Sequence, residues 1–358
     1  MSGIDRPRLV YERWTDPVAG TMLRSAGVEL VKLDLAVPAE QNWAALESAH
    51  GYQVATRTDV SAVPDGTQWL ADGALVRRCD QLLAVCSAGA GYDVIDVDAC
   101  TRAGVAVCNN SGPGAEAVAE HALGFMLDLA KRITAADRVL RAGDLGDRLA
   151  LRGSQLQGKT LGVVGLGAIG GRLVELCAPF DMEVLVFDPY LDEATAQRRG
   201  VQRVPLSDLL ERSDFVQVTC PLTQETSGLI GAAEFALMKP TAFFITTARG
   251  PIHDEAALLD ALTAGGIAGA GLDVFHTEPP RADNPLLHLP NVVATPHTAG
   301  ITVEAAHDIA VATAQQWQTI FAGGMPPRLL NPDVWPLYCD RFFDIVGIHP
   351  TARFAAAE

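Results

Sequence analysis

A doubly wound parallel α/β sheet is the fold class this chain predicts, and three observations point to it. Short apolar runs recur between residues 159 and 299, each too short for a free-standing helix and right for a buried parallel strand. The first of them, Leu161–Val164, runs straight into a glycine turn. Segments with helical spacing separate the runs, and parallel strands need such crossovers to return.

The glycine turn is the best-defined element. Gly165, Gly167 and Gly170 fit G-x-G-x-x-G: a tight turn, a backbone open to a pyrophosphate, and a close helix-on-strand contact. Ile169, Leu173, Leu176 and Cys177 then cover one face of a helix whose positive N-terminal end points at the phosphates. A second strand, Glu183–Phe187, ends in Asp188, about twenty residues past the turn, where a carboxylate accepts hydrogen bonds from ribose hydroxyls and opposes a 2′-phosphate. The expected cofactor is therefore NAD rather than NADP. Three glycines alone, in a chain with 33, are ordinary turn chemistry; strand, turn, helix, strand and acid in order specify a dinucleotide site.

Bulk composition fits a two-domain chain. At about 150 residues per domain, 358 residues suggest two, and 49% apolar content can bury both cores. A formal charge of −16 argues against nucleic acid or an anionic membrane as partner, so an anionic substrate must be drawn in by local cations. No apolar run reaches the roughly 20 residues of a membrane span, and MSGIDRPRLVYERWTD lacks a signal-peptide core, so a cytoplasmic location is expected. The seven cysteines form no CxxC pair and read as reduced, buried hydrophobes; no metal-ligand spacing is present, and no metal is expected.

From the start of the chain, strands are expected at Val28–Leu35, Gln53–Thr56, Ala74–Val76 and Leu82–Cys86, the last followed by SAGAGYD. Gly89 and Gly91 there either admit a ligand to the backbone or form an ordinary turn. After a strand at Val105–Asn110, one long helical pattern runs from Ala115 to about Arg141. Its segment Val118–Ala130 is apolar on nearly every side and must be covered all round, by a second domain or a second subunit; His121 within it reads as structural. A polar linker, Gly143–Lys159, precedes the glycine-turn unit. Further strands are expected at Phe215–Cys220, Phe243–Thr246, Gly269–Val274 and Val292–Ala294, then a closing helix with Ala306, Ile309, Ala310, Thr313, Trp317 and Ile320 on one face.

Open parallel sheets bind ligands beyond the C-terminal ends of their strands. Arg249, Glu278 and His297 each follow such a run. A guanidinium matches a carboxylate with a planar fork of donors, histidine donates a proton near neutral pH, and a neighbouring carboxylate orients the ring and favours its protonated form. The trio therefore suits reduction of a keto acid. Singly, each reads as a surface arginine, an acid before a turn, or a capping histidine.

Over roughly residues 50–325 the chain resembles the D-isomer-specific 2-hydroxyacid dehydrogenase family, on the segments SAGAGYDVID, AEAVAEHALGFMLDLAKR, GVVGLGAIGGRL, PLTQETSGLI, TTARGPIHDEAALLDAL, GLDVFHTEPP and PHTAG. The resemblance implies a Rossmann dinucleotide domain at 109–299 and a smaller, discontinuous flavodoxin-like substrate domain at 1–108 and 300–358, closing over the reaction. It implies Arg249, Glu278 and His297 as the catalytic residues. It also implies cofactor contacts at Gly167, Ala168, Ile169, Gly170, Asp188, Cys220, Pro221, Thr226, Ala248, Asp273 and Gly300, and a substrate carboxylate held by the backbone of Ala88, Gly89, Ala90 and Gly91 alongside Arg249. A homodimer through helix 115–141 is implied too. The chain departs from the family in TTARG, where asparagine is common, and in Cys220, where histidine is common. The tail after Leu330 carries no sign of the regulatory domain of some phosphoglycerate-oxidising relatives; Trp335, Tyr338 and Phe342 either anchor it on its own subunit or let it cover a neighbouring site. Phosphite oxidation on the same scaffold, or dinucleotide sensing without catalysis, are the rival expectations. Glu278 speaks against a formate enzyme, whose branch carries glutamine there.

Overall fold

Each short apolar run pairs with neighbours running the same way, and the outcome is two parallel sheets. The computed structural model describes residues 4, 6–55, 69–143 and 146–354. The chain divides into two units, Met1–Gly114 with Val303–Glu358, and Ala115–Thr302.

In the first unit β1 (Arg8–Tyr11), β2 (Glu29–Lys32), β3 (Gly51–Val54), β4 (Ala84–Ser87) and β5 (Ala106–Cys108) lie in the order β2-β1-β3-β4-β5, which is flavodoxin-like. Alternate residues feed two cores: Leu9, Ala84, Cys86, Ala106 and Cys108 on one face, Val10, Tyr52, Val85 and Val107 on the other. Burial on both faces is why these strands read as continuous apolar runs. The run expected at Gln53–Thr56 begins earlier, at Gly51, and Thr56 lies outside the described residues. Ala74–Val76, expected as a strand, is instead inside the helix Gly73–Arg78. Asp72 decides this: its carboxylate accepts the amides of Ala74 and Leu75, and Arg77 and Arg78 fall in the last turn, where the helix dipole favours cations.

The chain returns to this unit through the helix Val303–Phe321. Trp317 is fully buried there and donates from Nε1 to Gln53 Oε1 at 2.6 Å. The tail forms a further helix, Trp335–Val346, with Tyr338 and Phe342 wholly buried in the same core as Trp317. Arg341 fastens it by donating to the carbonyls of Leu82 and Asp80, both at 2.7 Å. These tail anchors thus pack on their own unit and are not available to cover a neighbouring site.

In the second unit β6 (Thr160–Val164), β7 (Glu183–Phe187), β8 (Gln202–Arg203), β9 (Phe215–Val218), β10 (Phe243–Thr246), β11 (Gly269–Leu272) and β12 (Val292–Ala294) take the order β12-β11-β10-β9-β6-β7-β8. This is a Rossmann arrangement whose direction of winding reverses between β6 and β9. The long helical pattern expected over 115–141 is broken. One helix runs Ala115–Lys131 and buries Ala119, Ala122, Phe125, Met126 and Leu129. Arg132 then takes a left-handed conformation (φ 57°) and a second helix, Ile133–Arg141, begins. The cause is Asp128, whose carboxylate accepts the amide of Thr134 at 2.7 Å and so caps the start of a new helix. Asp144 and Leu145 of the expected linker lie outside the described residues. Among the described residues no helix is long and apolar enough to cross a membrane.

Candidate active site

The reversal between β6 and β9 opens a crevice at the C-terminal ends of the strands, and the glycine turn fills its floor. Gly165 (φ 93°) abuts the chain leaving β9: a Cβ on it would lie 2.8 Å from the Cys220 amide nitrogen. A Cβ on Gly170 would lie 2.4 Å from the Gly165 carbonyl oxygen, whereas nothing stands within 4 Å of the corresponding position at Gly167. The turn therefore has a tight underside and an open mouth, the shape that admits a pyrophosphate to backbone amides at the start of the helix Ala168–Cys177. Ala168 is exposed and Ile169 half-buried at that helix start.

Asp188 leaves β7 beside this turn. One carboxylate oxygen accepts the Leu166 amide and the other the Tyr190 amide, both at 2.9 Å, so the acid is fixed while retaining lone pairs for a ribose. Burial, with Asp188's charge adding to it, pushes the Cys220 thiol up to about 12, leaving it neutral. Thr226 spends its hydroxyl on the Pro221 carbonyl at 2.6 Å and so shapes its own loop. Ala248 and Gly300 are half-buried.

Arg249, Glu278 and His297 follow β10, β11 and β12, three neighbouring strands in register at Thr246, Leu272 and Ala294. His297 Nδ1 lies 2.6 Å from Glu278 Oε2. The Glu278 side chain is 6% exposed and that of His297 33%, so the acid is buried behind a ring that reaches solvent. The other Glu278 oxygen accepts the Phe275 amide at 3.0 Å. A carboxylate can only accept, so Nδ1 carries the proton and Nε2 is the atom left for chemistry. Arg249 is half-buried, with Nη1 donating to the Ala248 carbonyl at 2.8 Å.

His297 sits at φ 56°, a left-handed conformation that a histidine holds only if its surroundings impose it. Asp273 imposes it. Its carbonyl accepts the His297 amide at 2.8 Å, and its buried carboxylate accepts the Thr298 amide at 2.8 Å, the Ala299 amide at 3.1 Å and the Thr295 hydroxyl at 2.6 Å. His121 Nε2 in turn lies 3.0 Å from Thr295 Oγ1. His121 is therefore tied to the loop that carries His297, a role its apolar helical context concealed.

In the first unit, Ala88–Gly91 form the turn after β4. The carbonyl of Ala88 accepts from Asn110 Nδ2 at 3.3 Å, that of Gly89 from the Asn110 amide at 2.9 Å, that of Ala90 from Asn109 Nδ2 at 2.8 Å, and that of Gly91 from Ser87 Oγ. The four carbonyls are thus taken, and the amides of Ala90 and Gly91 have no acceptor among the described residues. The adjacent pair Asn109-Asn110 after a strand was the available signal, and sequence reasoning passed over it.

A glycine turn open at its mouth, an imidazole–carboxylate pair and a guanidinium thus follow the strands of one parallel sheet. Residues 123–299 match the model of the D-isomer specific 2-hydroxyacid dehydrogenase, NAD binding domain. A glyoxylate reductase of Korarchaeum cryptofilum is 38% identical over 266 residues, 74% of this chain and 80% of that protein. A D-3-phosphoglycerate dehydrogenase of Archaeoglobus fulgidus is 40% identical over 262 residues, 73% of this chain; the match spans about half (49%) of that protein's length. Among solved structures, the holo form of Rhodotorula graminis D-mandelate dehydrogenase aligns with a TM-score of 0.79 at 27% identity, covering 91% of this chain and 98% of that one. The chain belongs to the D-isomer-specific 2-hydroxyacid dehydrogenase family, and its second unit is an NAD(P)-binding domain.

Proposed function

We propose that the protein interconverts a small D-2-hydroxy acid and its 2-keto acid with NAD(H). When bound, NAD(H) would supply the redox chemistry, as hydride donor or acceptor for C2 of the substrate. Arg249 binds the substrate carboxylate through its fork of donors. His297 holds a proton at Nε2: it gives that proton to the carbonyl oxygen in reduction and takes it from the hydroxyl in oxidation. Glu278 orients the ring and stabilises the imidazolium. The single observation that carries this reading is the 2.6 Å contact between Nδ1 and a buried carboxylate, which leaves Nε2 as the working atom. The open amides of Ala90 and Gly91 have the chemistry of further carboxylate donors. Asp188, fixed beside the glycine turn, favours NAD over NADP.

A panel of 2-keto acids, glyoxylate and hydroxypyruvate included, followed by NADH absorbance tests the reading. Turnover is expected, and His297→Ala should lower kcat by about 10²–10⁴-fold with NADH affinity kept. Phosphite oxidation in place of keto-acid reduction, or NADH binding with no turnover on any donor, would overturn it.

The partner is a second copy of the chain. The helix Ile133–Arg141 buries no residue of its own, and Ile133 and Leu140 are 57% and 62% exposed. Sedimentation should give a dimer that Leu140→Lys weakens.

A further inference from the structure

The segment that follows Arg249 and the loop that bears Glu278 are fastened together by three contacts that no step of the proposed chemistry uses. At Gly250 the two backbones touch: a Cβ there would lie 2.1 Å from both the carbonyl carbon and the oxygen of Phe275. The His276 amide donates to Glu255 Oε1 at 2.6 Å, and the His276 ring lies with Nε2 2.7 Å from the His253 carbonyl oxygen. A carbonyl only accepts, so Nε2 carries the hydrogen. Asn284 Nδ2 steadies the other Glu255 oxygen at 3.4 Å.

These contacts fall where they matter most for the acid–base pair. His276 stands between Phe275, whose amide holds one Glu278 oxygen, and Glu278 itself, whose other oxygen holds His297. His253 and Glu255 stand just beyond Arg249 on the same short segment. Beside His276 stand His253, with ring centroids 6.1 Å apart, and Glu255; Asp254 adds its charge near His253. Burial, then His276's charge, pushes His253 down to about 4, so it stays neutral and does not repel its neighbour.

We propose that His276 and Glu255 are positioning residues that tie the Glu278 loop to the Arg249 segment and so hold proton donor and carboxylate-binding cation in one frame. The proposal rests on the function proposed above. A loop freed to move by about 1 Å costs as much as 10²-fold in a positioned reaction.

The test uses the full chain with His276→Ala and Glu255→Ala beside His276→Gln, whose amide can still donate, and Glu255→Gln, whose oxygen can still accept. Two quantities are read: the imidazole pKa of His297 by NMR titration without cofactor or substrate, and KM and kcat for the preferred keto acid. The alanine variants should lower the His297 pKa below its wild-type value, raise KM and reduce kcat/KM by about 10- to 100-fold, and the glutamine variants should restore most of both. Alanine variants that lose only melting temperature, with pKa and kinetics unchanged, would overturn the proposal. The NMR arm separates the two ideas: a wild type that turns over no keto acid removes the function, while a His297 pKa that moves with alanine and returns with glutamine keeps the tie.

Discussion

After β4 the chain turns through Ala88–Gly91 and presents no charged side chain; after β10, β11 and β12 it presents Arg249, Glu278 and His297. The two parallel sheets prepare these edges in opposite ways. In the first unit, side chains hold backbone: Asn109, Asn110 and Ser87 capture carbonyls of the turn, whose Ala90 and Gly91 amides meet no acceptor among the described residues. In the second, backbone holds side chains: the amides of Phe275, Leu166 and Tyr190 fix the carboxylates of Glu278 and Asp188, and Asp273 sets the loop beneath His297. A site made of amides tolerates little change in chain path, and one made of side chains depends on each group separately.

That contrast can be broken at four points. The largest effect belongs to the cation: Arg249→Ala should cut kcat/KM for a 2-keto acid by about 10²–10³-fold, with Arg249→Lys recovering only part because an ammonium lacks the planar fork. Steady-state kinetics decide this, and equal activity of the lysine variant would contradict bidentate binding. Next, Asp188→Ser should shift the ratio of NADH to NADPH utilisation toward NADPH by about tenfold, since a carboxylate no longer opposes the 2′-phosphate. An unmoved ratio would remove Asp188 from cofactor selection. Asn110→Ala should act on the amide-built edge alone, raising KM severalfold with kcat nearly kept, because the Ala88 carbonyl loses its donor at the cost of about one hydrogen bond.

The smallest effect is on stability and depends on pH. His253 is buried with neither ring nitrogen hydrogen-bonded among the described residues and is held down to about 4 by burial, whereas in the unfolded chain it titrates near 6.5. The unfolded state therefore binds the proton first, and stability present above pH 6.5 is lost as pH falls from 6.5 toward 4. His253→Leu should remove that loss, about 3 kcal/mol at most, and flatten the melting temperature across this range. A wild-type melting temperature that does not fall in acid would show that the ring is satisfied in some other way.

Much of this was legible beforehand. The strand at Leu161–Val164, the three glycines and Asp188 form a local unit, each part within reach of the next, so residue order alone reveals it. Arg249, Glu278 and His297 stand out in the sequence because each follows an apolar run, and the structure brings the last two into contact. What escaped was local capping and long-range support. Asp72 turned an apolar triplet, Ala74–Val76, into a helix by taking two amides, and Asp128 cut one helix into two; the apolar pattern on either side carries no trace of either bond. His121 reads as structural, which its bond to Thr295 bears out, but that partner is 174 residues away and carries no local signal.

The sequence by itself determined the alternation of strand and helix, the glycine turn and the identity of the charged groups after the strands, because apolar periodicity and glycine geometry are properties of neighbouring residues. Only the tertiary structure decided that Nδ1 of His297 meets the carboxylate of Glu278, that Asp273 clamps the loop that carries His297, and that Asn109 and Asn110 take up the carbonyls of Ala88, Gly89 and Ala90. Hydrogen bonds of this kind join residues brought together by strand order, and strand order is fixed by how the sheets bury both their faces.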